Sequence, residues 1–343
     1  MKKSKYNVAV IGVGAVGIEM LRVLKQRNFP VGELRVFARS ARDIEVDGHR
    51  YSVQAISPEG FSGMDIALFA GTEGEKGAAA TFAYEAIKRG AVVIDNGADF
   101  RMDHKVPLVV PEVNAQDVRK HKGIIANPNC STIQMVVALW PIYKKAGIKR
   151  VVVATLQAAS GAGRAAVEQL REENKLIANA GFSNVHVDIE NKSLPQQLAY
   201  NVFPHIGVFG ECDYTSEEWK LVKETHKIMH DDKIKISATT VRVPVRTGHS
   251  EAVYIETEKP INPDKIRGIL AKAPGVIVID DPKNNLYPQP LDVEGKDEVF
   301  VGRIRKDPVV KNGLWLWVVA DNLRKGAATN AVQIAECVIS NSK

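Results

Sequence analysis

Two residues in this chain have the type and setting for covalent chemistry. The first is Cys130, in Asn127-Pro128-Asn129-Cys130-Ser131-Thr132. A short strand-like run, residues 123–126, enters Asn-Pro-Asn, and the cysteine then opens an apolar helix. A thiol at a helix N-terminus meets free backbone N–H groups and the positive end of the dipole, which favour the thiolate and make it a nucleophile near neutral pH. The second is His249, which follows Gly248 at the start of a strand-like stretch. An imidazole there titrates in the range an acid/base catalyst needs and is expected to face a cleft. Both have bland alternatives. A free cysteine is more often a buried structural residue, a description that suits Cys337 in the last helix but not Cys212 among acidic neighbours. A lone histidine on a strand is more often structural.

A third feature concerns a ligand rather than a reaction. Residues 8–17 read Val-Ala-Val-Ile-Gly-Val-Gly-Ala-Val-Gly. Gly12, Gly14 and Gly17 sit between a strand and a helix that opens with Ala15 and Val16. Glycines at this spacing allow a tight turn, close approach of a pyrophosphate, and close helix–strand packing, and the helix N-terminus faces the anion. A packing turn with no ligand is the alternative. Second-strand chemistry selects the dinucleotide. An NAD site usually carries a carboxylate roughly 20 residues past the glycines. Here the tip is Phe37-Ala38-Arg39-Ser40-Ala41-Arg42. Arg39 can stack on adenine and pair with a 2′-phosphate, and Ser40 can donate to it, so NADP is expected over NAD.

These groups need a scaffold. Strand candidates at 6–11, 33–38, 64–70, 91–94 and 123–126 alternate with helical patterns at 15–26 and 75–89, which indicates a doubly wound parallel sheet of Rossmann type. Asp47-Gly48 between alternating stretches predicts a hairpin. The second half differs. A strand at 150–158, a helix at 163–180 and an aperiodic stretch at 182–210 precede long strand candidates at 233–245, 250–257, 275–279, 299–305 and 314–320. Consecutive long strands suggest a mixed or antiparallel sheet. An amphipathic helix at 326–339 closes the pattern and is expected to pack back on the first domain. The expected division is 1–129 with 322–343 for the dinucleotide domain, and 130–321 for a catalytic domain.

Composition bounds the class. The 343 residues suit two domains. The net charge of +6 comes from scattered Lys and Arg, with no dense basic block, so nucleic acid is not an expected partner. No apolar run approaches the roughly 18 residues that span a bilayer. Three cysteines are too few and odd in number for a disulfide framework, which points to a reducing, cytoplasmic setting.

The Asn127–Thr132 segment resembles the active-site signature of the aspartate-semialdehyde dehydrogenase family, and further ordered motifs extend the likeness along most of the chain. Thr155-Leu156-Gln157-Ala158-Ala159-Ser160-Gly161-Ala162-Gly163 resembles that family's Gln-containing segment and Gly loop. Asp95-Asn96 with Phe100-Arg101-Met102 resembles its phosphate-binding stretch, and Val241-Arg242-Val243-Pro244-Val245 through Gly248-His249-Ser250 its substrate-Arg and catalytic-His pair. The resemblance implies an α/β chain with a Rossmann-type domain and an α+β catalytic and dimerisation domain, as in glyceraldehyde-3-phosphate dehydrogenases. It implies reduction of L-4-aspartyl phosphate to L-aspartate 4-semialdehyde with NADPH, on the route to lysine, threonine, methionine and diaminopimelate, by a homodimer. Cys130 would form a thioacyl enzyme, Gln157 orient it, and His249 serve as acid/base. Arg242 would hold the substrate carboxylate, Glu217 its amino group, and Arg101, Asn96, Asn129 and Lys220 the phosphate. Glu217 and Lys220 also fit an ordinary charge pair on a solvated helix. Ser160, Gly161, Gly163, Asn322 and Gly326 are expected in loops near the nicotinamide, with Gly71 and Thr72 after the third strand. That turn reads Phe69-Ala70-Gly71-Thr72-Glu73-Gly74 where the family often has a Ser-rich turn, leaving Thr72 as the hydroxyl donor. N-acetyl-γ-glutamyl-phosphate reductases share the fold and chemistry, but their cysteine generally has Gly before it and Tyr-Pro after it. A silent NADP-binding regulator on the same fold is the remaining alternative.

Overall fold

The computed structural model describes residues 3–71, 77–183, 185–190 and 192–341; Thr72 and the first residues of the helix expected from 75 lie outside them. The chain divides into two compact units, Met1–Asn129 with Gly326–Lys343, and Cys130–Lys325.

The first unit is built on a seven-stranded sheet. Its strands are β1 (Tyr6–Ile11), β2 (Val31–Ala38), β3 (Arg42–Val46), β4 (His49–Ala55), β5 (Ile66–Phe69), β6 (Val92–Asp95) and β7 (Ile124–Ala126). They lie in the order β3-β4-β2-β1-β5-β6-β7. All neighbours pair in parallel except β3 with β4. The chain moves outward from β1 to β2 and β4, then returns to the other side at β5, so strand order reverses beside β1. Such a reversal is where open α/β sheets bind ligands. Asp47 and Gly48 both have positive φ, 49° and 74°, which gives the hairpin turn expected from Asp-Gly.

Helix α1 (Ala15–Gln26) buries Gly17, Met20, Leu21, Val23 and Leu24, one stripe at helical spacing. Helix α2 (Ala78–Lys88) and the short α3 (Pro111–Asn114) follow. The strand expected over 64–70 is shorter because Gly71, at φ 77°, turns the chain away after Phe69.

In the second unit, the helices are α4 (Cys130–Ala146), α5 (Arg164–Asn179), α6 (Ser216–Met229), α7 (Pro263–Leu270) and the short α8 (Pro290–Val293). Its strands are β8 (Ile148–Gln157), β9 (Lys235–Arg242), β10 (His249–Thr257), β11 (Val276–Val278), β12 (Val299–Lys306) and β13 (Gly313–Ala320). They form a mixed sheet in the order β11-β12-β13-β10-β8-β9. The strand expected to run to 245 ends at Arg242. Pro244 has no N–H for the ladder, and the Val245 N–H turns back to the Val243 carbonyl. The aperiodic 182–210 stretch is fixed to α5 by buried polar side chains. Gln169 accepts the N–H groups of Ser193 and Leu194, and Glu173 those of Leu198 and Ala199.

The loop expected around Asn322 and Gly326 is a buried turn. Asp321 accepts the N–H groups of Leu323 and Arg324, and Arg324–Ala328 forms a π-helical turn leading into α9 (Thr329–Asn341). Ala331, Val332, Ile334, Ala335 and Val338 of α9 share one core with Met20, Leu21 and Leu24 of α1. The last helix is therefore part of the first unit's core.

Candidate active site

The mixed sheet brings three of the candidate residues into one row. Gln157, the last residue of β8, pairs in register with Arg242, the last residue of β9. On the other side of β8, Ser250 pairs with Leu156, so His249 stands beside Gln157 one step further. Residues level with one another on adjacent strands share a face. All three are buried, and α6 packs on β9 and α4.

His249 is fully buried, not open to a cleft as its sequence position suggests. The turn after β8 covers it. The Ala158 N–H donates to its Nδ1 at 3.1 Å, and a backbone N–H can only donate. The neutral ring therefore carries its proton on Nε2, which has no hydrogen-bond partner among the described residues. Burial, reinforced by the Arg242 charge and opposed by Glu217, pushes the His249 pKa down to about 3. The Ala158 carbonyl in turn accepts from Arg242 Nη1 at 2.7 Å, so the backbone of one residue holds the imidazole and the guanidinium together. Gly161 keeps this cover close: a Cβ there would stand 2.8 Å from His249 Cε1 and 3.0 Å from Arg242 Nη1.

Gln157 Nε2 donates to Glu217 at 3.1 Å and to the Thr155 hydroxyl at 3.3 Å, and Lys220 pairs with the other Glu217 oxygen at 3.0 Å. The Glu217–Lys220 pair is thus anchored to the strand row rather than solvated. A capping box sets its position. Thr215 accepts the Glu218 N–H, Glu218 accepts the Thr215 N–H, and the second Glu218 oxygen accepts the Thr240 N–H of β9. Arg246, the other arginine near the histidine, is exposed and pairs with Glu294, which leaves Arg242 as the buried cation.

Cys130 is the first residue of α4 and is partly exposed; Cys212 is exposed. Ser160 and Asn322 hydrogen-bond each other in both directions, at 3.0 and 2.9 Å, and Asn322 also accepts the Gly248 N–H ahead of His249. These two residues lock the turn beside the imidazole. Gly163, at φ 87°, ends that turn and starts α5.

The remaining candidates lie in the first unit. Asn96 is committed internally, donating to the Ala70 carbonyl and accepting from Asn127. Arg101 is buried and donates to the Asn96 carbonyl at 2.9 Å, and Asn129 is buried. Asp95, named in the sequence only as the start of the Asp95-Asn96 stretch and given no role, is fully buried with Oδ2 unpartnered among the described residues; burial pushes its pKa up to about 6 against the Gly97 N–H and Arg101.

The glycine turn fits a dinucleotide. Gly12 has φ 101°, and a Cβ on Gly17 would lie 1.9 Å from the Gly12 carbonyl oxygen, whereas a Cβ on Gly14 would meet nothing within 4 Å. No side chain caps α1 behind this turn, so its first N–H groups remain for an anion. Arg39 and Ser40 are exposed just beyond β2, and Arg42 reaches the Ser40 hydroxyl at 3.3 Å. The Gly71 turn lies against the Asn96 backbone.

A doubly wound unit with this turn, joined to a mixed-sheet unit bearing a buried imidazole and guanidinium, defines the class of two-domain nicotinamide-linked oxidoreductases. Residues 7–121 match the family model described as semialdehyde dehydrogenase, NAD binding domain, and residues 139–325 the one described as semialdehyde dehydrogenase, dimerisation domain. An aspartate-semialdehyde dehydrogenase of Aquifex aeolicus is 57% identical over 97% of this chain and 98% of its own length, and one of Bacillus subtilis 49% identical over 96% of each. The crystal structure of aspartate semialdehyde dehydrogenase II from Vibrio cholerae, complexed with ASA, superposes with a TM-score of 0.92 at 43% identity, over 99% of this chain and 100% of that one. The chain belongs to the aspartate-semialdehyde dehydrogenase family.

Proposed function

We propose that the protein catalyses the reversible, NADPH-dependent conversion of L-4-aspartyl phosphate into L-aspartate 4-semialdehyde and phosphate, through a thioacyl intermediate on Cys130. The observation that carries this reading is the row Arg242–Gln157–His249 with Glu217 and Lys220 behind it. It offers a cation for a carboxylate, an anion for an ammonium group and a hydrogen-bond donor for a carbonyl oxygen. An amino-acid aldehyde carries all three groups.

Cys130 attacks the acyl carbon; the C–S bond forms, the C–O bond to phosphate breaks, and the departing phosphate takes a proton from solvent. Asn96, Arg101 and Asn129, with Lys220, are the groups assigned to the phosphate. NADPH, when bound, supplies the hydride that reduces the thioacyl carbon. As the carbonyl oxygen gains negative charge it accepts from His249 Nε2–H, and collapse of the tetrahedral alkoxide returns the Cys130 thiolate. The acid/base duty that the family resemblance gives His249 takes the form of hydrogen-bond donation from a neutral ring, because protonating Nδ1 would set two donors against each other at Ala158. Gln157 fixes the acyl group, and the amide it shares with Glu217 ties that position to the amino-group site.

Gly12, Gly14, Ala15, Val16 and Gly17 hold the pyrophosphate on backbone N–H groups. Arg39 and Ser40 select the 2′-phosphate and hence NADP. The turns containing Gly71, Ser160, Gly161, Gly163, Asn322 and Gly326 shape the rest of the cofactor site. Association as a homodimer is supported by the sheet face opposite α4. There Val152, Tyr254 and Trp315 lie in register on three adjacent strands, and Val152 is exposed. Three free cysteines, one of them the nucleophile, suit the cytoplasm.

The test is an assay with NADP, phosphate and either aspartate 4-semialdehyde or N-acetylglutamate 5-semialdehyde, followed at the reduced-nicotinamide absorbance. Reduction with the first substrate only, and a lower KM for NADP than for NAD, is expected. Reduction only with the N-acetylated aldehyde, or with neither, overturns the reading.

A further inference from the structure

Behind the site lies a pair of fully buried polar side chains that the proposed reaction does not use. Gln134 is one helical turn after Cys130, so both project from the same face of α4. Its Nε2 donates to the His249 carbonyl oxygen at 3.4 Å. Glu251 is two residues after His249, on the same face of β10, in register with Thr155 on β8 and Val318 on β13. Gln134 and Glu251 both have no exposed surface, and Gln134 Oε1 and both Glu251 oxygens have no hydrogen-bond partner among the described residues.

We propose that Glu251 is a protonated carboxylic acid which, paired with Gln134, positions the helix turn bearing Cys130 against the strand start bearing His249. This rests on the reading of Cys130 as nucleophile given above. The argument begins with donors and acceptors. An ionised Glu251 would present acceptors only, next to an amide oxygen that is also an acceptor. The protonated acid adds one O–H, the donor that Gln134 Oε1 lacks, and keeps a carbonyl oxygen for the second Gln134 N–H. Charge points the same way. Burial holds the Glu251 pKa well above the usual carboxylate range against the Gln134 amide, which favours the ionised form, and among the described residues no cation compensates the carboxyl. The functional consequence follows from its location. An anion one strand-repeat from His249 and beside the helix turn of Cys130 would oppose formation of the thiolate. A neutral acid instead supplies a rigid hydrogen-bonded buttress without that repulsion.

The intact protein gives two independent measurements. At neutral pH, the infrared difference between wild type and Glu251→Gln should contain a protonated-carboxyl stretch that is lost in the variant. That result concerns Glu251 whether or not the enzyme turns over, so it is separable from failure of the Cys130 reading, which Cys130→Ala tests. Iodoacetamide alkylation of Cys130 as a function of pH should give the same midpoint in wild type and Glu251→Gln. Glu251→Leu should lower kcat by about ten- to a hundred-fold with both KM values unchanged, and Glu251→Gln should restore it. If Glu251→Leu does not fold, Gln134→Met serves the same comparison. Absence of the carboxyl band, a lower alkylation midpoint in Glu251→Gln (the mark of a lost negative charge), or wild-type kcat in a folded Glu251→Leu or Gln134→Met would each overturn the proposal.

Discussion

The two units are built for recognition by different means. In the first, the glycine turn offers backbone N–H groups, and its side chains matter mainly by their absence: Gly17 cannot carry a Cβ against the Gly12 carbonyl. In the second, the row of Gln157, Arg242 and His249 presents side chains whose atoms are tied to Glu217 or to the backbone of Ala158. Backbone recognition needs only a local turn, so it can be written in a few consecutive residues. Side-chain chemistry at fixed geometry needs strands far apart in sequence, and it places polar groups where water is excluded. The contrast predicts that substitutions in the glycine turn of the first unit change cofactor binding, whereas those in the side-chain row of the second change turnover.

The sharpest break would come from Cys130→Ala. It should reduce turnover by roughly 10⁴-fold or more, the scale for loss of a covalent nucleophile, while cofactor affinity measured by fluorescence titration stays near wild type. Retained turnover would remove the chemical half of the contrast. Gly161→Ala should push on His249 and Arg242 and lower kcat/KM for the semialdehyde by about ten- to a hundred-fold, with a smaller loss of cofactor affinity because the same turn borders the proposed cofactor site. Gly17→Ala should do the reverse. It forces α1 away from the turn, at an overpacking cost of about 1–3 kcal/mol, and should weaken cofactor binding and lower the melting temperature without altering the pH midpoint of Cys130 alkylation.

Two pH measurements refine the comparison. Because His249 is held neutral down to about pH 3, the kcat profile should show no acid limb near the ordinary histidine pKa of about 6.5. A limb there that disappears in His249→Gln would contradict the neutral-donor role. In the first unit, Asp95 has its pKa raised from 3.8 to about 6. The native state then holds more protons than the unfolded chain between those values, and stability falls as pH rises through that window. Asp95→Asn should therefore leave the melting temperature unchanged at pH 4 and raise it above pH 6, with an upper bound near 3 kcal/mol from the size of the shift. Equal effects at both pH values would show that the carboxyl does not titrate there.

The same contrast explains what was legible beforehand. The glycine motif, the Asp47-Gly48 hairpin, α1 and the thiol at the head of α4 are local patterns, and each follows from a few neighbouring residues. The capping box of α6 and the Asn262-Pro263 start of α7 are equally local and were present to be found. The Gln134 and Glu251 pair carried only a faint signal, the i,i+4 spacing from Cys130 and the i,i+2 spacing from His249.

Sequence by itself determined the parallel-sheet unit, the long consecutive strands of the second sheet and the types of residue available for chemistry, because periodicity and turn residues act over short distances. Tertiary structure alone decided that His249 is sealed and neutral, that Arg242 and not Arg246 is the buried cation, and that Glu217 leans on Gln157. Those outcomes depend on which strands become neighbours, and on how much water their packing removes from a charge.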